Sequence, residues 1–223
     1  EYQDPAKEKP YVIYWIQAGN GDSTAGDSSA DPALYQRAVQ GYLDYIQQKQ
    51  GYDEAQRQYR LIYVNDDDIP ELYVSGLSEA EGDQIITVDE NGVLNTLQLN
   101  RTMGSSYIER GNLLCNDNGN MGTFTVDIYT IDQGQFVPIY DEPYLLHGQY
   151  EVRSIGIYGF DEDNTDFQTL DYFIWKGEPV SEEEFFEQYD AAFNRTEAQA
   201  THLNACGASE MIESLNALLQ PAA

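Results

Sequence analysis

Carboxylates crowd into one short stretch of this chain. Between Leu61 and Val74 the sequence reads LIYVNDDDIPELYV, which sets Asp66, Asp67, Asp68 and Glu71 close together beside Asn65. Acids at this spacing repel one another unless they are hydrated, capped by backbone N–H groups, or gathered around a cation. A calcium loop offers oxygens at alternate positions and a carboxylate further on. In that register Asn65 and Asp67 take the third and fifth places and Glu71 the later one. Tyr63 then falls on the first place without a carboxylate, and Asp68 stands where such loops carry glycine. The other reading is a turn closed by Asx side chains bonding their own backbone. Asn65, Asp67 and Glu71 are thus the candidate ligands for Ca2+, the single cofactor that the residues suggest.

Other groups carry less chemistry. The chain has no Gly-x-Ser-x-Gly elbow, no phosphate-binding glycine loop and no His-Glu-x-x-His. Its two histidines, His147 and His202, have no ligand at metal spacing beside them. The loop Asp161 to Asp166 offers alternating oxygens at Asp161, Asp163 and Thr165, but its twelfth position is Tyr172 instead of a glutamate. Asn116, Asn118 and Asn120 are neutral and read as a hairpin turn. Exposed tyrosines stack on sugars and anchor protein contacts. On the polar side of the strand pattern, Tyr129 and Tyr140 are therefore the candidate ligand-binding residues.

The composition narrows the partners. The 223 residues carry 39 acids against 11 Lys and Arg, a net charge of −28. Such a surface is repelled by nucleic-acid backbones and anionic lipid heads, and it favours cations and basic or neutral partners. No apolar run reaches the ~18 residues that a membrane span requires. Glu1 stands where a methionine would, and no signal peptide follows it; the expectation is a processed, mature chain or a trimmed one. Cys115 and Cys206 fit neither a zinc site nor a redox pair. They form either one disulfide of an exported protein or two separate thiols.

The elements that must position these groups follow from periodicity. Residues 1–30 read as an N-terminal tether with a candidate strand at Tyr11–Gln17 and a flexible Gly/Ser/Asp loop; residues 31–223 read as one α+β domain. Asp31-Pro32 opens a helix with Tyr35, Ala38, Val39, Tyr42 and Ile46 on one face and Gly51 as its stop. A period of two then runs for over a hundred residues, giving roughly ten short strands in an antiparallel β-meander. Glu90-Asn91-Gly92 joins two of them, and Phe124, Val126 and Ile128 alternate with Thr125, Asp127 and Tyr129 in the clearest. Ser181 with Glu184 opens a second helix, and a third carries Ile212, Leu215, Leu218 and Leu219. The fold class is therefore α+β, one N-terminal and two C-terminal helices packing on an antiparallel sheet.

The turn also carries a likeness. Tyr63 to Leu72 resembles the D-x-D-x-D-G-x-P-E-L loop of exported, largely uncharacterised lipoproteins and secreted domains of anaerobic Gram-positive gut bacteria. The phrase Trp175 to Phe185 is similar to the N-G-x-x-V-S-E-E-E-[FY] ending of such proteins. The resemblance implies an extracellular or cell-surface location. Together with the charge and the tyrosines, it leads to the expectation of a non-enzymatic secreted domain that binds a glycan or a protein. Two alternatives stand beside it: a hydrolase of cell-wall or dietary polymer working through paired carboxylates, and a structural module of a surface assembly.

Overall fold

The computed structural model describes residues 31–49, 51, 54–120, 123–139, 150–158, 167–175 and 178–220. Tyr11–Gln17, the glycine-rich loop before Asp31, Tyr140, His147 and the Asp161–Asp166 loop lie outside the described residues.

Helix α1, Pro32–Gln48, starts where its cap places it: the Asp31 carboxylate accepts the Ala33 N–H at 2.9 Å. Its apolar face buries Ala38, Val39, Tyr42, Leu43 and Ile46. The helix ends at Lys49, whose backbone is extended, so Gly51 is not the stop. Strands β1 (Gln58–Ile62), β2 (Glu71–Val74), β3 (Asp83–Val88) and β4 (Leu94–Leu99) follow. Then come β5 (Thr102–Ile108), β6 (Leu113–Asn120), β7 (Thr123–Asp132), β8 (Gln135–Pro138), β9 (Tyr150–Tyr158), β10 (Phe167–Trp175) and β11 (Glu178–Val180). Helix α2 (Glu182–Ala192), the two-residue strands β12 (Gln199–Ala200) and β13 (Cys206–Gly207), and helix α3 (Ala208–Leu218) complete the order.

Every pairing is antiparallel, but the strands divide into two sheets where one was expected. The first runs β13-β1-β2-β3-β4; the second runs β11-β10-β9-β7-β6-β5-β12, with β8 also on β7. The division is visible in which residues share a core. Tyr59, Leu72, Val74 and Ile86 pack with α1 and α3 on the outer face of the first sheet. Ile62, Tyr73, Ile85 and Leu99 face Tyr107, Leu114 and Ile131 of the second sheet. Cys115, Val126 and Ile128 turn the other way, onto Phe185, Tyr189 and Phe193 of the α2 region. The layers are therefore helices, sheet, sheet, helix. Each fully buried aliphatic side chain contributes ~1.5–3 kcal/mol, so three such clusters hold the layers together.

Local details fix the joints between layers. Asn95 Nδ2 donates to the Gly134 carbonyl at 2.9 Å, tying the β7–β8 turn to the first sheet. Gly134 has φ 72°, and a Cβ there would lie 2.2 Å from the Val88 carbonyl oxygen, so only glycine fits. Arg60 reaches across to donate to the Ala200 carbonyl at 2.9 Å and the Tyr107 hydroxyl at 3.1 Å. Its length lets residues 199–207 cross from one sheet to the other. Ser181 caps α2 by accepting the Glu184 N–H at 3.1 Å. In α3, Met211 and Leu215 are buried, whereas Leu218 faces outward at 38% exposure, off the face that its spacing suggested.

The expectation for β6 changes, and the choice left open for the cysteines falls to two separate thiols. Asn116 to Asn120, read as a turn, lies within β6: all five pair with β7, and Asn116 to Asn118 pair also with β5. Ladder pairing on both sides satisfies more backbone groups than a turn would, and that outweighs the turn preference of asparagine. Cys115 and Cys206 form no disulfide; one packs under α2 and the other pairs against β1. Burial raises both thiols above their ordinary range. Among the described residues, no helix is long and apolar enough to cross a membrane.

Candidate functional site

The turn joins β1 to β2 as the sequence implied, with Leu61 opposite Leu72 and Ile62 opposite Glu71. Alternation puts Leu61 toward α1 and Ile62 toward the second sheet, and it sends the Glu71 side chain into the layer between the sheets. There Glu71 has no solvent exposure at all. Its Oε2 accepts the Val64 N–H at 2.9 Å, and its Oε1 accepts the Thr87 hydroxyl at 3.2 Å. Burial raises its pKa to about 8, and nearby Asp67 pushes the same way, against the lowering effect of the two hydrogen bonds. At neutral pH the carboxyl is therefore mostly protonated.

Asp67 and Asp68 are held by the protein too. Asp67 Oδ1 accepts the Ile69 N–H at 2.9 Å, closing an Asx turn, and its Oδ2 accepts Asn65 Nδ2 at 2.9 Å. Asp68 adopts φ 60°, the left-handed conformation that glycine would supply in the motif it resembles. Its carboxylate bonds Arg110 at 2.6 Å, and the Arg110 guanidinium lies 4.7 Å from the centre of the Tyr63 ring. The backbone is held from both sides. Arg110 N–H donates to the Tyr63 carbonyl at 2.8 Å, Asn112 N–H donates to the Val64 carbonyl at 2.7 Å, and the buried Tyr42 hydroxyl donates to the Pro70 carbonyl at 2.8 Å.

Asn65, Ile69 and Pro70 are consequently buried, and only Asp66 and Asp67 stand fully out in solvent. The turn is seated between α1 and the β5–β6 connection. Of the candidate metal ligands, the fold brings Asn65 and Asp67 together and turns Glu71 inward to its own two donors. Asn65 Oδ1 is buried without a hydrogen-bond partner, the one oxygen of the set still open. No group of three or more His, Cys, Asp or Glu side chains suited to a metal occurs among the described residues.

Tyr129 belongs to the inward side of the second sheet. Its ring is half-buried against the inter-sheet cluster, and burial raises its hydroxyl pKa, with Asp127 adding to the effect. Tyr140 cannot be placed beside it, lying outside the described residues. His202 is exposed on a turn.

Sequence reasoning missed Thr87, Tyr42 and Arg110 as partners of the turn. Thr87 had a signal: it is the single hydroxyl within Ile85-Ile86-Thr87-Val88, and a polar group in a buried run requires a partner. Arg110 had none, because its approach depends on how the second sheet folds over the first. A scan of protein-family models and searches of curated proteins and solved structures return no match to this chain.

Proposed function

We propose that this chain is a non-catalytic binding module displayed outside the cell, with a glycan or a protein as its partner. The observation that carries this reading is the use made of the acid-rich turn. Glu71, Asp67 and Asp68 each serve a protein donor, so the motif acts as a joint between α1, the two sheets and the β5–β6 connection. Recognition then falls to the surface, whose excess of acids favours a neutral or basic partner. The extracellular location rests on the likeness of the turn and of the α2 entry to motifs of exported proteins.

A hydrolase would require an acid of raised pKa facing a second carboxylate across an open groove. Glu71 has the raised pKa but is fully buried with both oxygens engaged, which leaves it no substrate to reach. The test of the binding reading is a glycan and peptide array probed with the full chain at low and at physiological salt. Retention of one ligand class at physiological salt is the expected result. A blank array at both salt concentrations would overturn the reading.

A further inference from the structure

A sheet edge is a row of unpaired backbone N–H and C=O groups, which folded chains blunt with short strands, proline, lysine or bulges. Most of the outermost strands here are blunted. β12 and β13 have two residues each, β11 has three with Pro179 at its centre, and β8 has four ending in Pro138. β4, the last strand of the first sheet, has none of these devices. Its six residues, Leu94 to Leu99, include no Pro, Lys or Gly, and its register with β3 runs unbroken from Asp83–Leu99 to Val88–Leu94.

The ladder fixes which groups of β4 point away from the sheet. Asp89 N–H donates to the Val93 carbonyl at 3.0 Å, and bonded pairs recur at every second residue beyond it. Asn95, Leu97 and Leu99 therefore bond β3, whereas the N–H and C=O groups of Leu94, Thr96 and Gln98 point outward. Among the described residues no backbone group pairs with them. Thr96 is exposed, and Leu94 and Gln98 are half-buried. What satisfies such a row is another extended chain.

The surroundings state the chemistry of that chain. A strand laid along β4 reaches, at its start, the turn Asp89 to Asn91. This turn forms one wall of a cleft of about 350 Å³, and the β7–β8 turn forms the other. Asp89, Glu90 and Asp132 line the cleft, and none of its lining residues is basic. Val93, just before β4, is 57% exposed, and Val137, in the cleft wall, is 41% exposed. Acids and bare apolar side chains together favour a segment that carries both Lys or Arg and apolar residues. A second copy of this chain would bring its own net charge of −28 against the same charge, which disfavours pairing between copies.

We infer that the β4 edge takes up an extended, basic segment of a partner protein, which adds to the first sheet as a further strand. This rests on the binding reading above and narrows its partner to a protein. The test uses the full chain with short synthetic peptides of alternating Lys and Val, Thr and Val, or Glu and Val. Affinity is measured at low and at physiological salt, and amide hydrogen exchange is followed residue by residue. The expected result is binding of the Lys-Val peptide about tenfold or more tighter than the Glu-Val peptide, weakening in salt. Leu94, Thr96 and Gln98 amides should exchange fast in the free chain and become protected in the complex. Thr96→Pro removes an outward N–H while leaving the β3 ladder whole, and should lower the affinity about tenfold or more, with Asp66→Asn as the unchanged control. Should Thr96→Pro fail to fold, the exchange pattern decides alone. Equal affinity for the Lys-Val and Glu-Val peptides, or binding without protection of these three amides, would overturn the assignment. So would protection that rises with chain concentration in the absence of peptide, which would give the edge to a second copy. A chain that holds glycans but none of these peptides keeps the binding reading and loses this one, and a chain that holds neither loses both.

Discussion

The carboxylate turn and the inward face of β6 and β7 both set polar groups into apolar surroundings, and they resolve the conflict differently. In the turn, Glu71 has two donors, Asp67 has two and Asp68 has Arg110, while the buried Asn65 Oδ1 has none. On the sheet, Asn116 Oδ1 and Thr125 Oγ1 have none. The turn is the more conspicuous in sequence because it is charged, and the sheet face is the less conspicuous because asparagine and threonine are neutral. What separates the two regions is how much of the hydrogen bonding of their buried polar groups the protein itself supplies.

That contrast can be broken most forcefully at its centre. Glu71→Ala should lower stability by about 2–4 kcal/mol in urea unfolding, because it strands the buried Val64 N–H and opens a cavity. A loss under ~0.5 kcal/mol would mean that the carboxyl organises nothing. Tyr42→Phe should cost about 1 kcal/mol by leaving the Pro70 carbonyl without its donor. Arg110→Ala should cost less than ~1 kcal/mol, with an effect that shrinks in salt, because the ion pair with Asp68 is nearly half exposed on both sides. The smallest expected effect is that of calcium. Melting curves in millimolar calcium and in excess chelator should superimpose, since Asp67 and Glu71 already serve protein donors. A rise of several degrees with calcium would instead assign an ion to Asp67 and the open Asn65 Oδ1.

Much of the frame was legible because its signals are local. Asp31-Pro32 and Ser181 opened helices through side-chain caps, and Glu90-Asn91-Gly92 joined β3 to β4. Alternation along β7 correctly divided Val126 and Ile128 from Asp127 and Tyr129. What lay hidden was set by distant pairing. A period of two fixes opposite faces of a strand but does not say what covers either face. Hence Tyr129, on the polar side, turned out to lie beside the inter-sheet cluster. Asn116 to Asn120 carried a turn composition that two flanking strands overrode. The inward course of Glu71 followed from its place opposite Ile62, but its donor Thr87 comes from β3 and the hold on Tyr63 and Val64 from the β5–β6 connection. Only the closed fold brings those together.

The most direct test of the turn as a scaffold is the pH dependence of unfolding free energy for the wild-type chain beside Glu71→Gln. The folded pKa of Glu71 is raised from 4.5 to about 8, so the folded state holds a proton that the unfolded state releases within that window. Its contribution is fully present below pH 4.5 and is lost as the pH rises toward 8. The difference between wild type and variant should therefore grow across this range by a few kcal/mol, an order of magnitude set by linkage. Glu71→Gln keeps an acceptor for Val64 and presents a donor to Thr87, so it should match the wild type near pH 5 and exceed it at pH 8. Parallel curves for the two proteins from pH 5 to 8 would contradict the account, placing Glu71 in water and the turn outside the core.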